Sequence, residues 1–395
     1  MTNQSQFFLD HLGQTSPFPF LIEVDRAEGA YIYDKNGKAY LDMIAGVAVN
    51  NIGHRHPKVV AALSAQLEKH LHVMVYGEFI QDAQQNLVRQ LLHVLPSALD
   101  GVYVVNSGTE AIEAALKLAK RATGRTELVA FKGSYHGSTH GAMSVSANEI
   151  KKIAFRPLLP DVRFLPHNEI PELAHITTRT AGVIIETIQG DAGVRRPSAA
   201  FMQALRARCT EVGALLIFDE IQCGMGRAGS MFAFEQFDVV PDVLTLGKAL
   251  GGGMPIGALV AAQQHLQLFT HAPMLGHITT FGGHPMVCAA AAATVEVLRS
   301  EIDWGLLENR AAAFAAQIAA HPAVCAHRRV GAMFAFDLTS ADEVEKVVKY
   351  CLENGMLTFW FLSHPYSFRL SPPLNLGQED WDLAAKVIIS ALDRL

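Results

Sequence analysis

The chain has 395 residues, half of them hydrophobic and only 18% charged, with a formal net charge of −6. That length supports two well-buried domains, and an acidic balance without any basic run argues against a nucleic-acid partner. Five scattered cysteines, odd in number and without paired metal spacing, fit reduced thiols in a cytoplasmic protein better than a disulfide frame.

The start, Met1 to Asp10, has no basic region followed by an apolar core. No stretch reaches the roughly 18 uninterrupted apolar residues of a membrane helix. Neither a signal peptide nor a membrane span is expected. The first segment reads as irregular until residues 30–42, where two short alternating strands flank Asn36-Gly37, a strong hairpin signal. An amphipathic helix is expected over residues 58–71. His54 and His56 precede it without acidic or cysteine partners nearby, and read as turn and helix-entry histidines.

From about residue 100 the pattern changes to strand–helix alternation. Apolar runs at 101–105, 127–131, 182–185, 214–218 and 243–246 have the length and β-branched content of buried parallel strands. Helical patterns at 109–121 and 199–212 lie between them. This predicts an α/β fold with a mostly parallel sheet, where sites gather at the carboxyl ends of strands. The last hundred residues read as a smaller α+β unit, with helices at 285–299, 304–320 and 341–353 around short strands at 333–337 and 367–370.

The strand ends carry the chemistry. Ser107, Gly108 and Thr109 stand where an apolar strand turns into a helix, suited either to phosphate or to plain N-capping. Tyr135 and His136 follow the next strand, where an aromatic could stack on a flat ring or simply close the core edge. Glu186 and Asp191 sit at and past the third strand, and could counter a cation or merely be solvated. Asp219 ends the strand 214–218. Desolvated there, it needs a cationic partner such as a protonated pyridine nitrogen, a metal or a structural salt bridge. Lys248 ends the run 243–246 just before three glycines. A buried lysine is costly unless paired or neutralised, and imine formation is one way to neutralise it. No nucleotide-binding glycine fingerprint follows a strand, so a dehydrogenase is disfavoured. Phosphate cradle, aromatic, buried Asp and strand-end Lys together form the set that pyridoxal phosphate needs.

These motifs resemble those of the class III (ω-amino-acid) aminotransferases, from about Phe20 to Leu374. Asn106-Ser-Gly-Thr-Glu-Ala is similar to that family's phosphate turn. Phe218-Asp-Glu-Ile-Gln-Cys-Gly-Met-Gly-Arg-Ala-Gly229 is similar to its pyridine-binding signature, and Thr245-Leu-Gly-Lys-Ala-Leu-Gly-Gly-Gly to its lysine loop. The resemblance implies a pyridoxal-phosphate-dependent transferase fold of type I, like that of aspartate aminotransferase. Its large cofactor domain would span residues 46–289, and its small domain 1–45 with 290–395.

It further implies that Lys248 carries the cofactor and shuttles the proton, while Asp219 pairs with the pyridine nitrogen. Gln222 would approach the ring hydroxyl and Tyr135 stack on the ring. Ser107, Gly108 and Thr109 would hold the phosphate, with His136 and Glu186 also at the cofactor. Thr280 would reach the phosphate of the neighbouring subunit, which implies a homodimer with shared sites. Arg369 would grip the substrate carboxylate, with Asp191 as its acidic neighbour. No metal is implied. The implied reaction moves an amino group from an amino acid or ω-amino acid, of ornithine or acetylornithine type, to a 2-oxo acid such as 2-oxoglutarate. An aminomutase or decarboxylase on the same scaffold, or a non-catalytic relative, is the alternative.

The chain departs from the family at Ser138, where acetylornithine-type members carry an arginine. It also departs at Thr187 for proline, at Asp191 for a longer acid and at His284 for asparagine. The reaction core is retained and the specificity shell has drifted.

Overall fold

The hairpin around Asn36-Gly37 forms as its alternation predicts. In the computed structural model, which describes residues 3–395, β1 (Val24–Glu28), β2 (Tyr31–Asp34) and β3 (Ala39–Asp42) pair antiparallel in chain order. The Asp34 carboxylate accepts from the Asn36 and Lys38 amides at 2.8 and 2.9 Å. Gly37 takes φ +82° there, a left-handed conformation open to glycine without strain. The stretch before the hairpin is less irregular than expected, since Asn3–His11 is helical and β1 is a strand. Residues 1 and 2, where the reading of the amino terminus begins, lie outside the described residues. Pro57 starts the next helix, which stops at Leu67, earlier than its apolar pattern suggests.

The central sheet has seven strands: β4 (Gly101–Val105), β5 (Glu127–Phe131), β6 (Val162–Leu165), β7 (Thr180–Glu186), β8 (Leu215–Asp219), β9 (Val243–Gly247) and β10 (Gly257–Ala261). Their order is β4-β10-β9-β8-β7-β5-β6. β6, β5, β7, β8 and β9 run parallel, whereas β10 lies antiparallel to both β9 and β4. β6 and β10 carry no signal that the sequence reading used. The 248–256 connection into β10 is too short for a parallel crossover, so β10 has to return antiparallel. Every residue of β5, β7, β9 and β10 is buried, as expected for strands covered on both faces. The helices Gly108–Thr123 and Ala199–Val212 both end on a left-handed glycine, Gly124 and Gly213.

The carboxy-terminal part contains β11 (Ala326–Val330), β12 (Met333–Asp337), β13 (Met356–Leu357), β14 (Phe359–Trp360) and β15 (Ser367–Leu370). Four of them form an antiparallel sheet in the order β11-β12-β15-β14. β13 instead pairs parallel with β3, so the two ends of the chain share a sheet. The helices Pro285–Ser300, Trp304–Ala319 and Ala341–Glu353 match expectation, and a further helix, Gln378–Leu392, was not anticipated. Among the described residues no helix is long and apolar enough to cross a membrane. All five cysteines are free thiols, and only Cys325 is exposed.

Candidate active site

Parallel pairing brings the first two acids together. Glu186 and Asp219 are register partners at the carboxyl ends of β7 and β8. Lys248 follows β9 directly, at φ +42° in the left-handed region. For a non-glycine residue that conformation costs about 1–3 kcal/mol and persists only where its surroundings enforce it. Backbone contact also crowds this corner. A Cβ on Gly247 would lie 3.2 Å from Gly108 Cα, and one on Gly108 would lie 2.8 Å from Ile221 Cγ2. Both positions need glycine for the strand end to meet the helix start.

A cavity of about 310 Å³ opens here, lined by Gly108, Thr109, Tyr135, His136, Gly137, Ser138, Glu186, Asp219, Ile221, Gln222, Cys223 and Lys248. A second cavity of about 290 Å³ shares Gly108 and Lys248 with it, and Ser107 lines that one. The chain thus gathers every expected site residue from positions 107 to 248 around Lys248, with the exception of Asp191.

The electrostatics follow from burial. His136 Nδ1 donates to Asp219 Oδ2 at 2.7 Å, while Asp219 Oδ1 accepts from the Ile221 amide at 3.0 Å. His136 Nε2 is buried and has no partner among the described residues. Glu186 accepts from the Tyr135 and Gly190 amides at 2.8 and 3.1 Å. Burial still pushes its carboxyl up to about 7. Burial likewise pulls the Lys248 ammonium below the ordinary lysine range, opposed by Asp219 and Glu186. Tyr135 is 37% exposed, and its hydroxyl lies 3.2 Å from Ser138 Oγ. Gln222 packs over Gly190, where a Cβ would sit 1.9 Å from Gln222 Oε1.

The capping reading of Ser107 is met. Ser107 Oγ accepts from the Glu110 amide at 3.3 Å, so it is an N-cap. Glu110 folds back to accept from the Asn106 amide at 2.7 Å. Thr109 Oγ1 donates to Thr139 Oγ1 at 2.8 Å, and Thr139 Oγ1 donates to Glu113 Oε1 at 2.6 Å. The Gly108 and Thr109 amides precede the first intrahelical bond of a 16-residue helix, so they face the cavity with the positive end of its dipole.

Three expected residues lie off the cavity lining. Thr280 is exposed and lines neither cavity of its own chain. Arg369, on β15, is buried, and its charge acts on Lys248. Asp191 makes no ion pair with Arg369. Its oxygens instead accept from the Leu362 amide at 3.1 Å and from Ser363 Oγ at 2.7 Å.

Other participants escaped the sequence reading. Glu220, beside Asp219, projects the other way and accepts from Thr187 Oγ1 (2.8 Å) and the Ala233 and Phe234 amides (2.7 and 2.6 Å). Strand alternation puts neighbouring acids on opposite faces, which was the available signal. Arg227 is fully buried and donates to the Ala332 and Pro372 carbonyls and to Asn51. His54 and His56, read from the sequence as lacking acidic partners, in fact pair with Asp42 at 2.8 Å and Glu301 at 3.4 Å. Among the described residues no His, Cys, Asp and Glu cluster could hold a metal.

Known proteins resemble the chain as a whole. The family model described as aminotransferase class-III matches residues 13–392. The acetylornithine aminotransferase of Archaeoglobus fulgidus is 37% identical over 93% of this chain and 95% of its own length. That of Methanopyrus kandleri is 41% identical over 74% and 73%. A [LysW]-aminoadipate semialdehyde/glutamate semialdehyde transaminase of Sulfurisphaera tokodaii is 40% identical over 71% of each chain. The solved ornithine aminotransferase of Toxoplasma gondii superposes with a TM-score of 0.91 at 28% identity, covering 100% of this chain and 96% of that one. A second structure of that Toxoplasma enzyme is described with pyridoxal phosphate at partial occupancy.

Proposed function

The chain belongs to the class III aminotransferases, and we propose that it binds pyridoxal phosphate in the cavity around Lys248 and transfers an amino group to a 2-oxo acid. The observation that carries the reading is a lysine of lowered basicity set beside two strand-end carboxylates and a helix start with free amides. Those groups fit the cofactor, offering amine to carbonyl, carboxylate to ring nitrogen and amide N–H groups to phosphate. When bound, it supplies an electron-withdrawing ring beside the carbon that loses its proton.

The chain's own residues do the rest. Lys248 Nζ holds the cofactor and then, as a free amine, takes the proton from the substrate carbon and returns it. Its lowered basicity keeps the neutral form accessible. Asp219 would accept a hydrogen bond from the ring nitrogen, and His136, fixed at 2.7 Å, sets the rotation of that carboxylate. The Gly108 and Thr109 amides, with Ser107 capping the helix, receive the phosphate. Tyr135, Gln222 and Glu186 line the same cavity; Tyr135 would cover the ring and Gln222 would approach its hydroxyl. Arg369 grips the substrate carboxylate, for which a guanidinium is suited by its two-pronged geometry.

The donor is an amino acid or ω-amino acid of the acetylornithine or ornithine kind, as the relatives' names suggest. The acceptor is a 2-oxo acid such as 2-oxoglutarate. Ser138, in place of an arginine, leaves the far end of the donor without that cation. Two copies act together, each lending Thr280 to the other's phosphate. Exposed Leu67, Leu71, Phe79, Ile80, Ile278 and Phe281 support such a contact. Unpaired, mostly buried thiols support a cytoplasmic setting.

The test is a panel of amino donors with 2-oxoglutarate and pyruvate, alongside borohydride reduction and peptide mapping. Turnover with cofactor trapped on Lys248 is expected. Cofactor found on another lysine, or on none, would overturn the reading.

A further inference from the structure

Arg369 is 6% exposed, and its guanidinium makes no ion pair among the described residues. Its Nε has no hydrogen-bond partner, and the rings of Phe359 and Phe361 flank it, each centroid 5.6 Å from Cζ. A buried cation of this kind ordinarily takes a carboxylate. The acid whose charge acts on it is Asp191, itself buried and on the loop after β7. Both Asp191 oxygens are engaged elsewhere, Oδ1 by the Leu362 amide at 3.1 Å and Oδ2 by Ser363 Oγ at 2.7 Å. Ser363 Oγ is in turn held by Asn148 Nδ2 at 3.3 Å. A relay from residue 148 through 363 therefore ends on Asp191.

We propose that Ser363 is a positioning residue that holds the Asp191 carboxylate off Arg369, so that a substrate carboxylate meets an unpaired guanidinium. The proposal rests on the reading of Arg369 as the carboxylate seat and adds what keeps that seat open. An aspartate is one methylene shorter than a glutamate, and two donors anchor it on the 361–364 loop. A move onto Arg369 must break both bonds. The consequence is selective. Substrates that bring a carboxylate beside the reacting carbon bind without displacing an internal acid, whereas amines lacking one leave Arg369 uncompensated.

The test uses the holoenzyme with 2-oxoglutarate as acceptor and glutarate, which has no oxo group to react, as a calorimetric probe. Ser363→Ala removes the hydroxyl anchor of Asp191 and leaves only the Leu362 amide to hold it. The KM for 2-oxoglutarate and the Kd for glutarate should both rise about five-fold, the worth of one hydrogen bond, with kcat changed less than about two-fold. Ser363→Thr, which keeps the hydroxyl, should stay near the parent. Adding Asp191→Asn to Ser363→Ala should restore both constants, because the amide carries no charge to mask Arg369. Unchanged constants in Ser363→Ala, or a rise that persists in the double variant, would overturn the proposal. Arg369→Ala separates the two failures. If it leaves glutarate binding intact, the carboxylate seat itself is misassigned and the proposal falls with it.

Discussion

His136 Nδ1 lies 2.7 Å from Asp219 Oδ2, and the two side chains are 83 positions apart in the chain. The imidazole is buried and spends one nitrogen on the carboxylate that is proposed to face the cofactor nitrogen. The other nitrogen, Nε2, is unpartnered. The contact fixes the rotation of Asp219 and leaves its second oxygen to the Ile221 amide.

Removing the Asp219 charge should therefore be severe and removing its support milder. Asp219→Asn is expected to lower kcat by about 100-fold or more, the scale seen when one preorganised electrostatic partner is lost. His136→Ala should cost about ten-fold, the equivalent of one charged hydrogen bond, and weaken cofactor retention. Steady-state kinetics and gel filtration monitored at the cofactor absorbance give both readings. Equal losses in the two variants would contradict the division of roles.

The glycine at the helix start predicts a steric effect. In Gly108→Ala the new methyl meets Ile221 Cγ2 at 2.8 Å, so the helix start must move relative to β8. Cofactor affinity should fall about ten-fold, as misplaced amides lose roughly one charged hydrogen bond. Adding Ile221→Val to Gly108→Ala removes the Cδ1 contact but not Cγ2, so it should restore affinity only in part. Fluorescence titration of the apoprotein with pyridoxal phosphate measures this.

Glu186 predicts a pH dependence of stability. Its folded-state carboxyl is raised to about 7, chiefly by burial, above its ordinary value in the unfolded chain. The folded state then binds the proton more tightly, so stability contributed at low pH is lost as pH rises through that window. The contribution is on the order of 3 kcal/mol. Urea denaturation of the apoprotein at pH 5 and pH 8 should show a smaller difference for Glu186→Gln than for the parent. An equal or steeper dependence would count against the raised carboxyl.

Glu220 should matter to folding rather than turnover. It accepts from one hydroxyl and two backbone amides that open the 233–237 turn. In Glu220→Gln the new NH2 must confront at least one of those donors. The expected loss is about 1–3 kcal/mol, the cost of an unsatisfied buried polar group, read as a lower urea midpoint. The KM for 2-oxoglutarate in the surviving folded fraction should stay within about two-fold, since the side chain faces away from the cavity.

By itself the sequence determined which strand ends supply residues to the cavity. An apolar run that stops at Asp219 or Lys248 is a local pattern, and the energetic oddity of a charge at a buried strand end is visible without knowing what lies beside it. The Asn36-Gly37 hairpin and the Ser107 cap are local for the same reason. Each is settled within a few residues by backbone geometry.

The tertiary structure decided the partnerships. β10 pairs with both β4 and β9 because its connection is short, and no propensity in Gly257–Ala261 announces that. Asp219 and Glu220 are neighbours in the sequence, yet alternation sends one to the cavity and the other to the 233–237 turn. Asp191 reads as the neighbour of Arg369, but a hydroxyl 172 positions away claims it first. Such choices depend on which donors the fold carries within three ångströms of a carboxylate. Sequence spacing holds no information about that distance once the chain has doubled back across sheets.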